Sequence, residues 1–205
     1  MKICAGAFLP DDEMDEVMLA NGTQYQGDKL RTALKYVKKA RTAIDIGAHC
    51  GLWTSQLAQY FERVEAFEPL PRHHECWEKN AGWKKSNTLH KVCLGDEVGS
   101  CGIHLVEGLS GRSHIIEGNE YEVRRLDDYD FQDVDLIKVD VEGYELKALK
   151  GAERTIVKYR PVVIVEQKFN MGKRYGVRDT AALEYLRSMG VRFEDEFVGD
   201  YIVSF

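Results

Sequence analysis

Two stretches of the 205-residue sequence carry residue types spaced for chemistry. The first, IDIGAHCGLWTSQLAQYFERVEAFEP over residues 44–69, sets Asp45 two positions before Gly47, Gly51 four positions after it, and Glu68 21 positions after Gly47. Glycines that follow a strand let backbone approach a ligand and let the next helix pack closely. A carboxylate about 20 residues further on, at the end of the next strand, is placed to accept hydrogen bonds from ribose hydroxyls. The second stretch, VDLIKVDVEGYE over residues 134–145, puts Asp140 and Glu142 two positions apart at the end of another apolar run. Two close carboxylates can take a proton from a nucleophile, because repulsion raises the pKa of one of them. They can also hold a divalent cation that acidifies a hydroxyl.

Two ligands suit the first stretch, a dinucleotide or S-adenosylmethionine. A dinucleotide site needs G-x-G-x-x-G, whose second glycine admits the pyrophosphate. Here His49 stands in that place. S-adenosylmethionine has no phosphate and carries a cationic amine, so an aspartate and backbone carbonyls serve it better than a helix N-terminus aimed at an anion. The loop therefore favours the sulfonium cofactor. A nicotinamide-dependent oxidoreductase with a degenerate loop is the alternative, and a cofactor-binding module without transfer is a third reading. Each residue also has a plainer role. Gly47 and Gly51 serve tight strand-to-helix packing, His49 is a loop contact, Cys50 a small buried thiol, and Glu142 an acid at a helix start. HHEC at residues 73–76 reads as a solvated helix face, since no second ligand pair lies at zinc-finger spacing. No metal ligand is assigned.

The elements that must position these residues alternate. Apolar strand-like runs fall at residues 42–46, 63–69, 88–94, 134–140 and 161–167, with helical patterns at 52–61, about 71–81, 142–157 and 180–190. A further helix over residues 28–40 has Asp28 as its N-cap, and Gly190 closes the last helix. Between about 99 and 126 short glycine-punctuated runs predict small antiparallel strands. The final 15 residues hold two strands with no room for a crossover helix. Such a pattern describes one α/β domain with a mostly parallel sheet. The net charge of −6 argues against charge-driven binding to nucleic acid. No run of about 18 apolar residues is present to span a membrane. MKICAGAFLPDDE makes a poor signal peptide, and five cysteines without a CxxC pair suit reduced thiols. A cytoplasmic protein is expected, with DDEMDE at residues 11–16 as a solvated acidic face.

IDIGAHCG, VEAFEP, RRLDDYDFQDVDLIKVDVEGYELKALKGAE and RPVVIVE together resemble the FkbM-type family of S-adenosylmethionine-dependent methyltransferases, over about residues 40–170. NGTQYQGDKL is similar to the opening segment of its shorter members. The resemblance implies a class I methyltransferase fold, a Rossmann-like α/β domain with a seven-stranded, mostly parallel sheet and a C-terminal antiparallel hairpin. The single domain, 1–205, would comprise a helical cap at 1–40 and a catalytic core at 41–205 with an insert at 99–126. Asp45, Gly47, Ala48 and Gly51 would line the methionine and ribose side, and Glu68 would hold the ribose. Pro69 and Leu70 would lie near the adenine, with Leu94, Gly95 and Asp96 at the third strand end and Asp96 accepting from the adenine amine. Tyr25 and Gln26 would close over the cofactor. Asp140 and Glu142 would face the methyl group, with His114 as another candidate base, and Glu166 and Lys168 would form an acceptor wall or an ordinary surface pair. No Asn/Asp-Pro-Pro-aromatic motif follows the fourth strand, which favours a hydroxyl on a sugar, glycan or small metabolite over a nucleobase.

Overall fold

Apolar residues in the strand runs occupy both faces of a central sheet, and that double burial sets the architecture. The computed structural model describes residues 1–205. In chain order the elements are β1 (Lys2–Cys4), β2 (Ala7–Leu9), α1 (Glu16–Asn21), α2 (Gly27–Leu34), β3 (Thr42–Ile46), α3 (Leu52–Leu57), β4 (Arg63–Phe67), α4 (Pro71–Ala81) and β5 (Asn87–His90). There follow β6 (Cys93–Leu94), β7 (Gly99–His104), β8 (His114–Arg124), β9 (Val134–Val139), α5 (Glu145–Lys150), α6 (Glu153–Tyr159), β10 (Val162–Glu166), α7 (Ala181–Ser188), β11 (Arg192–Phe197) and β12 (Asp200–Ser204).

Seven strands form one sheet in the order β11-β12-β10-β9-β3-β4-β5. β10, β9, β3, β4 and β5 run parallel, and β12 pairs antiparallel with both β10 and β11. The seven-stranded sheet and terminal hairpin that the resemblance implies are both present. Alternate residues of each strand feed opposite cores, as a period of two requires. Ile44, Ile46, Ile137, Val139, Val163 and Val165 pack under α5, α6 and α7 through Leu149, Ile156 and Leu186. Ala43, Val64, Leu136, Val162 and Ile164 meet α2 and α3 through Leu30, Trp53 and Leu57. Strand order reverses at β3, where β4 lies on one side and β9 on the other. The crevice beyond their carboxyl ends is therefore the place for a ligand.

Several boundaries differ from the sequence pattern, each for a local reason. The run over 88–94 is not one strand: β5 joins the main sheet, while β6 pairs with β8 in a separate three-stranded sheet, β6-β8-β7. β7 and β8 are antiparallel, as expected of the insert. α2 begins after Gln26, whose φ of 55° ends the preceding turn, and it stops at Leu34; Asp28 lies inside the first turn and pairs with Arg31. The helix expected over 142–157 begins only at Glu145 and breaks at Gly151, where a Cβ would collide with the Gly95 carbonyl oxygen. Glu142 (φ 55°) and Gly143 (φ 104°) are left-handed and precede it, so Glu142 is not a helix-start acid. The first 40 residues also hold a hairpin, β1–β2, clamped to α4 where Asn80 bonds both Phe8 N and Phe8 O at 2.8 Å. No helix is long and apolar enough to cross a membrane.

Leu149 is fully buried in the larger core beneath α5. Leu149→Ala is expected to lower stability by about 2–5 kcal/mol, measured as a shift in the urea midpoint at constant slope.

Candidate cofactor and acceptor site

A cavity of 640 Å³ opens at the strand-order reversal. Its floor is the glycine loop between β3 and α3. Gly47 N and Ala48 N both donate to the Phe67 carbonyl at 3.0 Å, which turns the chain sharply off the sheet. Gly47 has φ 79°, and a Cβ there would collide with the Asp140 carbonyl oxygen, so only glycine lets the loop lie against the end of β9. Gly51 has a different task. Its φ is 80°, and a Cβ would stand 2.7 Å from Trp77 Cδ1, so it seats α3 against α4 behind the cavity wall.

At one end of the cavity lies Glu68, the residue after β4 and its neighbour Phe67. Its carboxylate accepts from His49 N and Leu70 N, both at 2.9 Å, and meets His73 Nδ1 at 3.1 Å. Burial alone would push its pKa up, but the His73 imidazole and the two backbone N–H groups outweigh that and hold it below the usual carboxylate range. His49 is itself left-handed (φ 49°), and its Nε2 meets Ser110 Oγ at 2.7 Å. Ser110 in turn donates to Glu13 Oε2 at 2.6 Å. This chain of contacts fastens the N-terminal segment and the insert over the loop. Glu13 and His73, each 1% exposed, are thus interior groups, not parts of solvated faces. With Cys50, the two histidines gather three metal-ligating atoms, but His49 and His73 already face Ser110 and Glu68.

The other end is dominated by charge. Lys138, the next-to-last residue of β9, is 5% exposed, and its Nζ stands 3.6 Å from Asp45, 3.4 Å from Asp140 and 3.2 Å from the Gly47 carbonyl. Asp45 is fully buried and accepts from Thr54 Oγ1 at 2.6 Å. Burial raises the Asp45 pKa. Burial would also raise Asp140, but Lys138 holds it low and ionised. Asp140, Glu142 and Glu166 bring carboxylate oxygens within 4.8 Å of one another. Glu166, buried beside the charge of Asp140, is pushed strongly up and keeps its proton at neutral pH. Lys168 Nζ lies 2.7 Å from Glu166 and 3.4 Å from Glu142. Lys29 pairs with Asp200 along the same wall.

Of the residues singled out from the sequence, Tyr25, Gln26, Gly47, Ala48, Glu68, Pro69, Leu70, Leu94, His114, Asp140, Glu142, Glu166 and Lys168 all line the cavity. Gln26 Oε1 accepts from Trp53 Nε1 at 2.8 Å, which fixes it there. Asp45 lies beneath the floor and acts through Lys138, and Gly51 lies behind it. Asp96 is turned away towards Lys147, at 3.8 Å, and is not on the cavity wall. His114 meets the Arg112 carbonyl at 3.2 Å and makes no hydrogen bond to the carboxylates. Glu166, 2% exposed, is no surface acid. The sequence reading missed Lys138, Glu13, Ser110, His73, Lys29 and Asp200. For Lys138 a signal existed, since a lysine inside an apolar strand is rarely buried without acidic partners.

The fold is that of class I methyltransferases. Precorrin-6y C5,15-methyltransferase of Geobacter metallireducens GS-15 superposes with a TM-score of 0.55 at 14% identity, over 97% of each chain. A putative methyltransferase of Streptococcus mutans, solved with S-adenosylhomocysteine, gives 0.55 at 10% identity over 87% of this chain and 95% of its own. Methyltransferase FkbM of Methylobacillus flagellatus KT gives 0.51 at 22% identity over 81% of this chain, which spans only 43% of that protein. No curated protein matches the sequence. The family model for the methyltransferase FkbM domain matches residues 45–193, and the chain belongs to that family.

Lys138→Met would deprive fully buried Asp45, and Asp140 at the cavity wall with its side chain 22% exposed, of their cation. A loss of about 3–5 kcal/mol is expected at pH 7. Without Lys138 both carboxyls bind protons more tightly in the folded than in the unfolded chain. The deficit should therefore shrink as pH falls through their raised folded pKa values towards 4, as followed by urea denaturation at a series of pH values.

Proposed function

We propose that the chain binds S-adenosylmethionine in this cavity and transfers its methyl group to a hydroxyl of a sugar, glycan or other small metabolite. One observation carries the reading: a single cavity joins a ribose-type carboxylate, Glu68, at one end to an ionised carboxylate, Asp140, held by Lys138 at the other. Membership of the methyltransferase FkbM family and the S-adenosylhomocysteine bound by structural neighbours support the cofactor. Glu68 would exchange part of its local hydrogen bonding for the ribose hydroxyls, with Pro69 and Leu70 beside the adenine. The Gly47–Ala48 turn would pass along the methionine side, and Tyr25 and Gln26 would cover it.

Transfer needs little covalent help from the protein. The acceptor oxygen forms a bond to the methyl carbon as the carbon–sulfur bond breaks, and the bonding pair stays on sulfur as a neutral thioether. The enzyme aligns the three atoms and receives the hydroxyl proton. Asp140 is the ionised carboxylate at this end and the group for that proton, and the charge of Lys138 that keeps it ionised also makes it a weak base. Glu166, already protonated, can donate a hydrogen bond to Asp140 or to the acceptor but cannot serve as base. Glu142 lines the same end, and burial with the nearby Asp140 charge raises its pKa. The carboxylate wall, the lack of a Pro-Pro-aromatic segment after β9 and the net charge of −6 all favour a hydroxyl acceptor over a nucleobase.

Calorimetric titration should show S-adenosylmethionine binding and no NADH binding, with the former lost in Glu68→Ala. Tight NADH binding would overturn the cofactor assignment. Asp140→Asn should lower kcat by about 10²–10⁴ while S-adenosylhomocysteine affinity is kept. With Asp140 as base, the acid limb of the kcat profile lies below the ordinary carboxylate range. A limb above the carboxylate range and somewhat below the ordinary imidazole range would instead assign the proton to His114, whose pKa burial lowers.

A further inference from the structure

We propose that Asp140, Glu142 and Glu166 form a binding site for a hard divalent cation, Mg²⁺ or Mn²⁺, at the acceptor end of the cavity. The three carboxylates come from the end of β9, the left-handed turn after it and the end of β10. Each presents an oxygen within 4.8 Å of the other two. Oxygen ligands sit about 2.0–2.6 Å from such ions, so two ligands facing each other across one are about 4–5 Å apart. The three oxygens lie within that reach of one another. No thiol or imidazole joins them, and an all-oxygen set selects Mg²⁺, Mn²⁺ or Ca²⁺ over zinc or copper.

Two further observations point to a ligand. Glu142 is 4% exposed, and its Oε2 is buried in the cavity wall with no hydrogen-bond partner. Glu166 Oε1 has Lys168 Nζ beside it at 2.7 Å, a cation whose place a bound ion would take. The local balance is also acidic: five carboxyl groups, Asp45, Asp140, Glu142, Glu166 and Asp200, face the ammonium groups of Lys29, Lys138 and Lys168, and an ion bound here would displace the proton of Glu166. Lys168 is the group that must yield. Its side chain is 44% exposed, against 6% for Lys138, so it can swing to solvent on its flexible stem while Lys138 stays. Ion binding stands on these residues alone. Only its use, to hold and acidify an acceptor hydroxyl, rests on the methyl-transfer reading.

The test is a Mn²⁺ titration of the purified chain followed by electron paramagnetic resonance, with S-adenosylhomocysteine calorimetry on the same preparation. One Mn²⁺ per chain is expected, displaced by Mg²⁺. Glu142→Gln and Glu166→Gln should each weaken it by about 10–100-fold with S-adenosylhomocysteine binding unchanged. Lys168→Met, which removes a competing ammonium from a partly exposed position, should tighten it severalfold. The proposal is overturned by no bound Mn²⁺ at about 1 mM, the weak end for carboxylate sites, by equal affinity in the glutamine variants, or by unchanged or weaker binding in Lys168→Met. Mn²⁺ binding without S-adenosylhomocysteine binding would support the ion site and sink the cofactor reading instead.

Discussion

The buried ammonium of Lys138 holds the floor of the cavity together. It is set in the middle of the sheet, between a carboxylate from β3 and one from the end of β9, and it also reaches the carbonyl of the glycine loop. Burying three charges is costly unless their geometry compensates. Here each partner comes from a different part of the ligand crevice, so the pairing fixes the crevice's shape as well as its charge. Gly47 can lie against Asp140 only because it has no side chain, and that contact brings the loop within reach of Lys138. The same lysine keeps Asp140 ionised beside Glu166, which is not.

Environment, not residue type, thus separates the roles of the acids. Asp45 is sealed below the floor and acts on the site only through Lys138. Asp140 opens to the cavity beside the same cation and stays ionised. Glu166, buried at the end of β10 with its nearest cation partly in solvent, holds a proton. Glu68, at the opposite end, stays charged because an imidazole and two backbone N–H groups converge on it. The sequence shows four acids alike, and only their surroundings distinguish the sealed one, the two that stay ionised and the one that holds its proton.

Much of this was legible beforehand where a period repeats. The strands and helices of the parallel core, the closing hairpin and the antiparallel insert all follow from alternation of pattern, and the IDIGAHCG and IKVDVEGYE segments mark the ends of β3 and β9. What the sequence hid depends on contacts distant along the chain. Asp96 had the right place after the third strand run, but that run divides between two sheets and carries it towards Lys147. Glu13 sits in an acidic stretch that looks solvated, and nothing local announces Ser110, 97 positions away, as its partner. Glu166 next to Lys168 reads as a surface pair until the hairpin covers it. Lys138 was the readable exception, a lysine where the pattern asks for valine or isoleucine.

The contacts among Glu13, Ser110 and His49 make the cavity's two halves unequal in kind. The floor is strand ends and a glycine turn, locked by the large cores, whereas the roof is two chain segments held by a smaller apolar cluster around Ala7, Leu9 and Met18 and by the Glu13, Ser110 and His49 contacts. Regions with few buried apolar contacts open at lower free energy than the core beneath them. A molecule enclosed between the two would therefore meet a rigid template on one side and a fastening on the other. Its recognition belongs to the floor, while its residence time belongs to the roof.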